Sequence, residues 1–274
     1  MDVHVHPTRY SPHGPAFAER NRLEYSPQGL LREMDRSGIR WGVFLAPRRA
    51  PSPEEGLAEG AQVSQESQGR LLLTATEDPT RPAEEIHRTL DLWDRSPDPV
   101  RAIKLYPGYQ PFAIDDPRVE PILGWAERHR APVFVHQGDT SDPNGLVKFA
   151  RPLFLDDVAV RWRSVDFVLC HLGNPWMEEA AEVIYKNPNV WGDTSGLLNP
   201  FSPRYDLQVR RMVERLRYAV YAVGDPGKLL YGSDWPISSL QDGVELVTSL
   251  GLAPDEQEMI LGGNARALFG LPGP

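Results

Sequence analysis

Cysteine is nearly absent from this sequence. The single cysteine, Cys170, excludes a disulfide within the chain, as is typical of proteins in a reducing compartment. We therefore expect a cytoplasmic protein. Because Cys170 lies inside an apolar run, a small buried side chain is the expected role, and a nucleophile is the alternative.

Long hydrophobic runs and an excess of basic residues are also missing. No apolar stretch approaches the length of a membrane span, and the polar start does not show the pattern of a signal peptide. The chain has 29 Lys and Arg residues against 38 Asp and Glu, with a net charge of −9. We therefore expect no membrane partner and, since phosphate-backbone binding needs a basic face, no nucleic-acid partner.

Eight short apolar runs rich in strand-forming residues alternate with segments of helical spacing along the 274 residues. The strand-like runs are 2–6, 41–45, 71–75, 102–106, 133–136, 166–171, 190–194 and 229–233. The helix-like segments include 29–35, 82–93, 119–129, 178–186, 207–223 and 256–269. This alternation predicts a parallel α/β sheet closed into a (β/α)8 TIM barrel, a single domain over residues 1–274. An open doubly wound sheet is the alternative, but no Gly-x-Gly-x-x-Gly follows the first run.

Proline-rich stretches mostly follow the strand ends, which in a barrel are the loops of the catalytic face. The longest is 7–27. We expect it to be a loop that either covers the site or only decorates the surface.

The strand ends carry residues that bind metal ions. His4 and His6 alternate along the first run, so their imidazoles project from one face. His136, His171 and Asp234 end the fifth, sixth and eighth runs, and a parallel barrel brings these ends to one rim. Neutral imidazole and carboxylate suit a cation such as Zn²⁺, with Mn²⁺ or Fe²⁺ as alternatives. By contrast, His13, His87 and His129 are expected on the surface.

These segments resemble the amidohydrolase superfamily, in its amidohydrolase-related branch. The matching segments are DVHVHP, AIKLYPGY, PVFVHQGD, FVLCHLGNPW, VWGDTSG and LLYGSDWP. The resemblance implies a barrel with one or two metal ions, in which His4, His6, His136 and Asp234 match the ligand positions. It implies that His171 either binds a second metal or polarises the substrate, and that Asp234 also transfers the proton.

Lys104 lies between apolar residues and is expected to point into the barrel, where an unpaired charge is costly. Three roles stay open: a carboxylated bridge between two metals, as in binuclear relatives; an ammonium that contacts substrate, which we favour; or a structural ion pair.

Other candidates follow from their places near strand ends. Arg48 and Arg49 follow the second run, and an Arg is suited to grip a substrate carboxylate, although a solvated pair is the alternative. The aromatic candidates for the wall of a substrate pocket are Tyr106, Tyr109, Trp176 and Trp235. Asn174 and Ser195 are possible polar contacts.

The leading hypothesis is a metal-dependent hydrolase that cleaves an ester, lactone or amide bond of a small molecule. A metal-dependent, non-oxidative decarboxylase of an aromatic or muconate-type acid is the alternative on the same scaffold. A metal-dependent deoxyribonuclease on a similar barrel is the third hypothesis. It is less favoured because relatives of that kind carry Glu at the position of Lys104. A non-catalytic barrel comes last. The exposed helices could support a homodimer.

Overall fold

The computed structural model describes residues 1–273. Eight strands occur in this part of the chain, and they form one sheet in sequence order in which every neighbouring pair is parallel. They are β1 (Asp2–Val5), β2 (Gly42–Phe44), β3 (Leu71–Thr76), β4 (Ala102–Leu105), β5 (Val133–Val135), β6 (Phe167–Leu169), β7 (Val190–Asp193) and β8 (Leu229–Leu230). The predicted (β/α)8 barrel is confirmed.

Helices follow the strands on the outside of the barrel. They are α1 (Gly14–Arg20), α2 (Pro27–Arg36), α3 (Pro53–Glu66), α4 (Ala83–Asp94), α5 (Glu120–His129), α6 (Leu153–Arg161), α7 (Met177–Lys186), α8 (Tyr205–Val223), α9 (Leu240–Thr248), α10 (Pro254–Glu258) and α11 (Asn264–Phe269). None of them, within residues 1–273, is long and apolar enough to cross a lipid bilayer.

The barrel closes between its first strand and the chain that follows its last. The backbone hydrogen bonds of this seam run from Val3 N to Tyr231 O (3.0 Å), from Asp234 N to His4 O (2.9 Å) and from His6 N to Trp235 O (2.9 Å). The segment that carries the His-x-His pair therefore lies directly beside the segment that carries Asp234.

Two apolar cores result from the alternation of side chains along the strands. Leu71 and Leu73 of β3 belong to the large core between the sheet and the helices. Leu72 belongs to the smaller core inside the barrel, together with Phe134 of β5. Phe269 at the end of α11 lies near Phe134, with ring centroids 6.4 Å apart, so the interior is packed and the polar residues are left to the opposite rim.

The segment 7–27 is more ordered than the predicted loop, because it contains α1. Hydrogen bonds to a barrel helix and within the segment fix its path. Glu59 of α3 accepts hydrogen bonds from Thr8 Oγ1 (2.5 Å) and Arg9 N (2.7 Å), and Tyr25 OH donates to Thr8 O at 2.6 Å. Together these hydrogen bonds explain how a proline-rich segment adopts a fixed path.

Candidate metal centre

Three predicted ligands meet at the seam of the barrel. His6 Nε2 lies 3.3 Å and His4 Nε2 lies 3.6 Å from Asp234 Oδ1. His171 approaches the other oxygen, with Nδ1 3.9 Å from Asp234 Oδ2. One ligand atom from each of His4, His171 and Asp234 falls within 4.8 Å of the other two, which is close enough to share a cation.

His136 stands at the edge of this cluster. Its ring centroid lies 5.0 Å from that of His171 and 4.5 Å from that of Tyr109. Its Nε2 is 2.9 Å from the carbonyl oxygen of Asp139. The structure thus places the ring of His136 beside the other imidazoles. Its ligand atoms, however, do not join the group formed by His4, His171 and Asp234.

In each of the four imidazoles, one nitrogen lies within hydrogen-bond distance of a backbone carbonyl oxygen or a carboxylate oxygen. Such an oxygen accepts a hydrogen bond but cannot donate one. These nitrogens therefore bear the proton, which leaves the other ring nitrogen with a lone pair in the neutral imidazole. The pairs are His4 Nδ1 with Asp193 Oδ2 (2.8 Å), His6 Nδ1 with Leu45 O (3.3 Å), His136 Nε2 with Asp139 O (2.9 Å) and His171 Nδ1 with Ser195 O (3.1 Å).

Burial keeps three of these histidines neutral. It lowers the pKa of His4 to about 3, with Lys104 acting in the same direction. Burial also lowers the pKa of His136 and of His171. Neutral imidazole is the form that binds a metal ion, so no proton has to leave these rings first.

Asp234 supplies the negative charge of the cluster. Burial alone would raise its pKa, but the surrounding imidazoles, His4 first and then His6 and His171, lower it by more, so the pKa lies below its ordinary value. Space beside it is kept by Gly196, at φ +63°, where a Cβ would lie 2.6 Å from Asp234 Oδ2 and 2.8 Å from His171 Nδ1. A larger residue at 196 would fill the place in which these two side chains face each other.

This donor set fits a divalent cation. It offers uncharged nitrogens and one carboxylate, the combination that Zn²⁺ takes in catalytic sites. His4, His171 and Asp234 could hold such an ion, with His6 and His136 beside them.

Lys104 points into the barrel, as expected, and is almost fully buried. Its Nζ lies 2.9 Å from Cys170 Sγ and 5.3 Å from the ring centroid of Tyr106. Within residues 1–273 no carboxylate oxygen comes within 4.0 Å of Nζ, so the ion-pair alternative is not found. Cys170 is buried, as predicted, and burial raises the pKa of its thiol, yet the thiol has a polar neighbour that its apolar surroundings in the sequence did not indicate.

A cavity of about 380 Å³ opens over the cluster. Its walls include the predicted residues Arg48, Tyr106 and Tyr109, and also Arg49. Residues 141–144 of the loop after β5 contribute one wall, and the segment 7–27 contributes another, through Thr8, Tyr10, Ser11, Pro12, His13, Gly14 and Phe17. This segment therefore covers the site, and His13, expected on the surface, is an exposed residue of the cavity rim. His87 and His129 are exposed, as predicted.

The two arginines above the site share one carboxylate. Arg48 Nη2 lies 3.0 Å and Arg49 Nη2 lies 2.7 Å from Asp142 Oδ2. The guanidinium carbon of Arg48 also lies 4.4 Å from the ring centroid of Tyr109. These contacts attach the loop after β5 to the loop after β2 across the cavity.

Two predicted pocket residues lie elsewhere. Trp235 is fully buried; its Nε1 donates to Glu33 of α2 at 2.9 Å. Trp176 packs against Arg151, whose guanidinium carbon is 4.8 Å from its ring centroid. Neither lines the cavity described above. Both follow strand ends in the sequence, but the backbone there directs their side chains outward, away from the predicted place in the cavity wall.

Asp193, at the end of β7, was not singled out from the sequence, and it contacts His4 directly. The same rule that selected Asp234, a carboxylate at a strand end, applies to Asp193 and would have found it. Ser195, predicted as a possible polar contact, lies in the same network. Asn174 instead accepts a hydrogen bond from Arg215 of α8 (2.6 Å).

Comparison with known proteins supports this fold. Similar solved structures include an amidohydrolase from Burkholderia multivorans with bound zinc (21% identity, 99% of each chain covered, TM-score 0.76) and a probable 2-pyrone-4,6-dicarboxylic acid hydrolase from Acinetobacter baumannii with citric acid bound (18%, 98% of each chain, 0.68). A third is 2,6-dihydroxybenzoate decarboxylase from Rhizobium (17%, 100% of each chain, 0.66). At these identities the likeness shows the fold. No curated protein sequence matches. The amidohydrolase family model matches residues 1–271, and the chain therefore belongs to the amidohydrolase family.

Proposed function

We propose that this protein is a metal-dependent hydrolase that cleaves an ester, lactone or amide bond of a small molecule. We assign the cation to His4, His6, His136 and Asp234, with Zn²⁺ as the first choice and Mn²⁺ or Fe²⁺ as alternatives. The observation that carries the proposal is the approach of His4 and His6 to one oxygen of Asp234 beneath a cavity of about 380 Å³. A cavity of this size suits a small molecule.

A bound divalent cation supplies Lewis-acid chemistry, which makes water more acidic and polarises a carbonyl oxygen. Asp234 supplies the proton acceptor. Its Oδ1 faces His4 and His6, whereas its Oδ2 faces His171 and is the oxygen we assign to take a proton from water and return it to the leaving group.

We assign Lys104 to stabilise the substrate oxygen that becomes negatively charged during the reaction. His171 already donates its Nδ1 proton to Ser195 O, so its remaining nitrogen has no proton to offer. The ammonium of Lys104 has three N–H groups, of which one faces Cys170. A donor of this kind, held in a buried site, stabilises an oxyanion strongly. Its place in the cavity wall also supports the unmodified, substrate-contacting role.

The test begins with purified protein and its metal content. We expect roughly one divalent ion per chain by elemental analysis. Hydrolysis is then measured as acid release on a panel of γ- and δ-lactones, aryl esters and anilides. Removal of the ion with a chelator should abolish the activity, and Zn²⁺ should restore it.

Asp234→Asn should lower kcat by about 10²-fold or more while the fold persists. Asp255→Asn, on the exposed surface of α10, is the matched control and should behave as the parent. A chain that neither holds nor gains Zn²⁺, Mn²⁺ or Fe²⁺ would rule out the proposal.

Non-oxidative decarboxylation is the second candidate. Its support is the set of cationic side chains that lines the cavity, Arg48, Arg49 and Lys104, because such groups can hold a carboxylate. The two reactions differ in product. Release of CO₂ from an aromatic or muconate-type acid, with no net addition of water, would replace hydrolysis as the function.

A further inference from the structure

Asp193 is a fully buried carboxylate that accepts four hydrogen bonds in the middle of the cluster. Its Oδ2 accepts from His4 Nδ1 at 2.8 Å. Its Oδ1 accepts from the backbone N–H groups of His171 (2.8 Å) and Ser195 (3.1 Å), and from Ser195 Oγ (2.5 Å). One carboxylate therefore contacts the side chain of one histidine and the backbone of another.

The hydroxyl of Ser195 extends this arrangement to the second imidazole. Its oxygen lies 2.9 Å from His4 Nδ1 and 2.9 Å from His171 Nδ1. A hydroxyl has one proton, and the neighbouring carboxylate of Asp193 is the strongest acceptor for it. The oxygen of Ser195 must then act as an acceptor toward both rings, which is consistent only if both Nδ1 atoms carry protons.

The backbone at His171 requires support of its own. His171 has φ +61° and Leu172 has φ +42°, a left-handed conformation that L-residues adopt at an energetic cost. The bond from His171 N to Asp193 Oδ1 holds this conformation from the side of β7. This hydrogen bond fixes the backbone from which the ring of His171 faces Asp234.

We propose that Asp193 is a positioning residue that, together with Ser195, sets both His4 and His171 to the tautomer with the proton on Nδ1, so that Nε2 carries the lone pair in each. This proposal rests on the proposed function in one respect, because the lone pair on His4 Nε2 is assigned to bind the cation. Asp193 itself does not bind substrate and acts only through the two histidines.

The direct test needs no variant. In uniformly ¹⁵N-labelled, metal-free protein, long-range ¹H–¹⁵N correlation spectra report which ring nitrogen of each histidine is protonated. We expect the Nδ1–H tautomer for His4 and His171. A predominant Nε2–H tautomer at His4 would overturn the proposal.

Asp193→Asn supplies the matched perturbation. The amide has nearly the same shape and keeps one oxygen, but its NH₂ group donates toward His4 Nδ1 and so favours the proton on Nε2. We expect the His4 spectrum to change to that tautomer and the Kd for Zn²⁺, measured against a chromophoric chelator, to rise by about 10- to 100-fold.

Two control variants separate positioning from general loss of stability. Asp166→Asn replaces a carboxylate that accepts from Trp191 Nε1 (3.3 Å) on the same pair of strands, and it should change neither the tautomers nor the Kd. Ser195→Ala removes the bridging hydroxyl but leaves Asp193 against His4, and should raise the Kd by less than Asp193→Asn does. If Asp193→Asn retains both the parental tautomer and the parental Kd, the proposal is wrong.

The tautomer spectra are recorded without metal or substrate, so they decide the role of Asp193 in placing the protons independently of catalysis. A parent protein that shows the expected tautomers but binds none of Zn²⁺, Mn²⁺ and Fe²⁺ would refute the proposed function while leaving that placement intact.

Discussion

Asp2 shows at the scale of a single residue how the barrel supports its polar rim. Its Oδ1 accepts hydrogen bonds from the backbone N–H groups of His4 (2.9 Å) and Ser233 (3.1 Å), one on each side of the seam. Its Oδ2 has no hydrogen-bond partner within residues 1–273. Burial raises the pKa of Asp2 from 3.8 to about 7, so the folded state favours the protonated carboxyl.

This shift predicts a pH dependence of stability. Because the pKa is raised on folding, the folded state binds more protons than the unfolded state between the two values. The stabilising contribution of protonated Asp2 is therefore present below the unfolded pKa of 3.8 and is lost as the pH rises through about 7.

Asp2→Asn stays neutral and should gain stability relative to the parent as the pH rises from about 5 to about 8, by at most about 1.4 kcal/mol per pH unit. Urea unfolding of both proteins in the presence of a chelator measures the difference. Asp91→Asn, exposed on α4, should show no such trend. A difference between Asp2→Asn and the parent that is constant with pH would contradict this account.

Residue types at strand ends were readable from the sequence, but the direction of each side chain was not. His4 lies within β1, and His6, His171 and Asp234 come shortly after their strands, so all four lie at the barrel rim. Trp235 comes directly after Asp234, which has φ +61°, and this turn of the backbone sends the indole to α2. A pattern of residue types does not encode such a local reversal.

At the scale of elements, all eight strands were predicted within a few residues, because their apolar runs fill both faces of a buried sheet. The helices were harder. The buried face of α3 consists largely of small residues such as Gly56, Gly60 and Ala61, which give little hydrophobic periodicity. A Cβ at Gly60 would lie 2.4 Å from Leu73 Cδ1. Close contact with β3 therefore requires glycine at this position, and glycine weakens the hydrophobic periodicity by which a helix is recognised in the sequence.

The helices α1, α6 and α9 were also not identified, and the segment 256–269 is not one continuous helix. It divides into α10 and α11 at a wide turn (Met259–Gly263) in which Gly262 leaves the helical conformation. The amino group of Met1 donates to Leu261 O at 2.7 Å, and a Cβ at Gly262 would lie 2.8 Å from Met1 N. Such contacts between residues distant in sequence are not visible in a local pattern.

Asn189 connects three elements and gives a prediction for their packing. Its Nδ2 lies 3.2 Å from Ala159 O, 3.0 Å from Trp162 O and 2.9 Å from Val165 O, which ties the end of α6 and the turn into β6 to the start of β7. Asn189→Ala removes this buried donor from the three carbonyl groups, of which Trp162 O keeps a hydrogen bond from Val165 N. We expect a loss of about 2 kcal/mol in the free energy of unfolding.

Chemical denaturation of metal-free protein measures this loss. Asn199→Ala, which removes one exposed hydrogen bond to Phe201 N, is the control and should cost less than about 0.5 kcal/mol. An Asn189→Ala protein as stable as this control would show that the three contacts contribute nothing.

At the scale of the whole molecule, the seam and the candidate metal centre coincide. His4 and His6 lie on one side of the closure and Asp234 lies on the other. A cation shared by them would bind the folded barrel and not the open chain, so it would stabilise the fold by linkage.

Zn²⁺ at about 100 times its Kd should therefore add about 2.7 kcal/mol to stability and raise Tm by roughly 5–10 °C. The double variant His4→Ala/His6→Ala should fold but show no Zn²⁺-dependent change in Tm. Differential scanning calorimetry with and without Zn²⁺ compares each protein with its own metal-free form. An equal rise in the parent and the double variant would place the ion elsewhere.

The closure of the barrel at this seam also orders events during synthesis on the ribosome. The amide of Ser233 and the carboxylate of Asp2, which meet across the closure, are 231 positions apart in the chain. The imidazole pair emerges well before the matching carboxylate leaves the exit tunnel. The proposed ligands can therefore meet around a cation only after β8 and Asp234 have been synthesised.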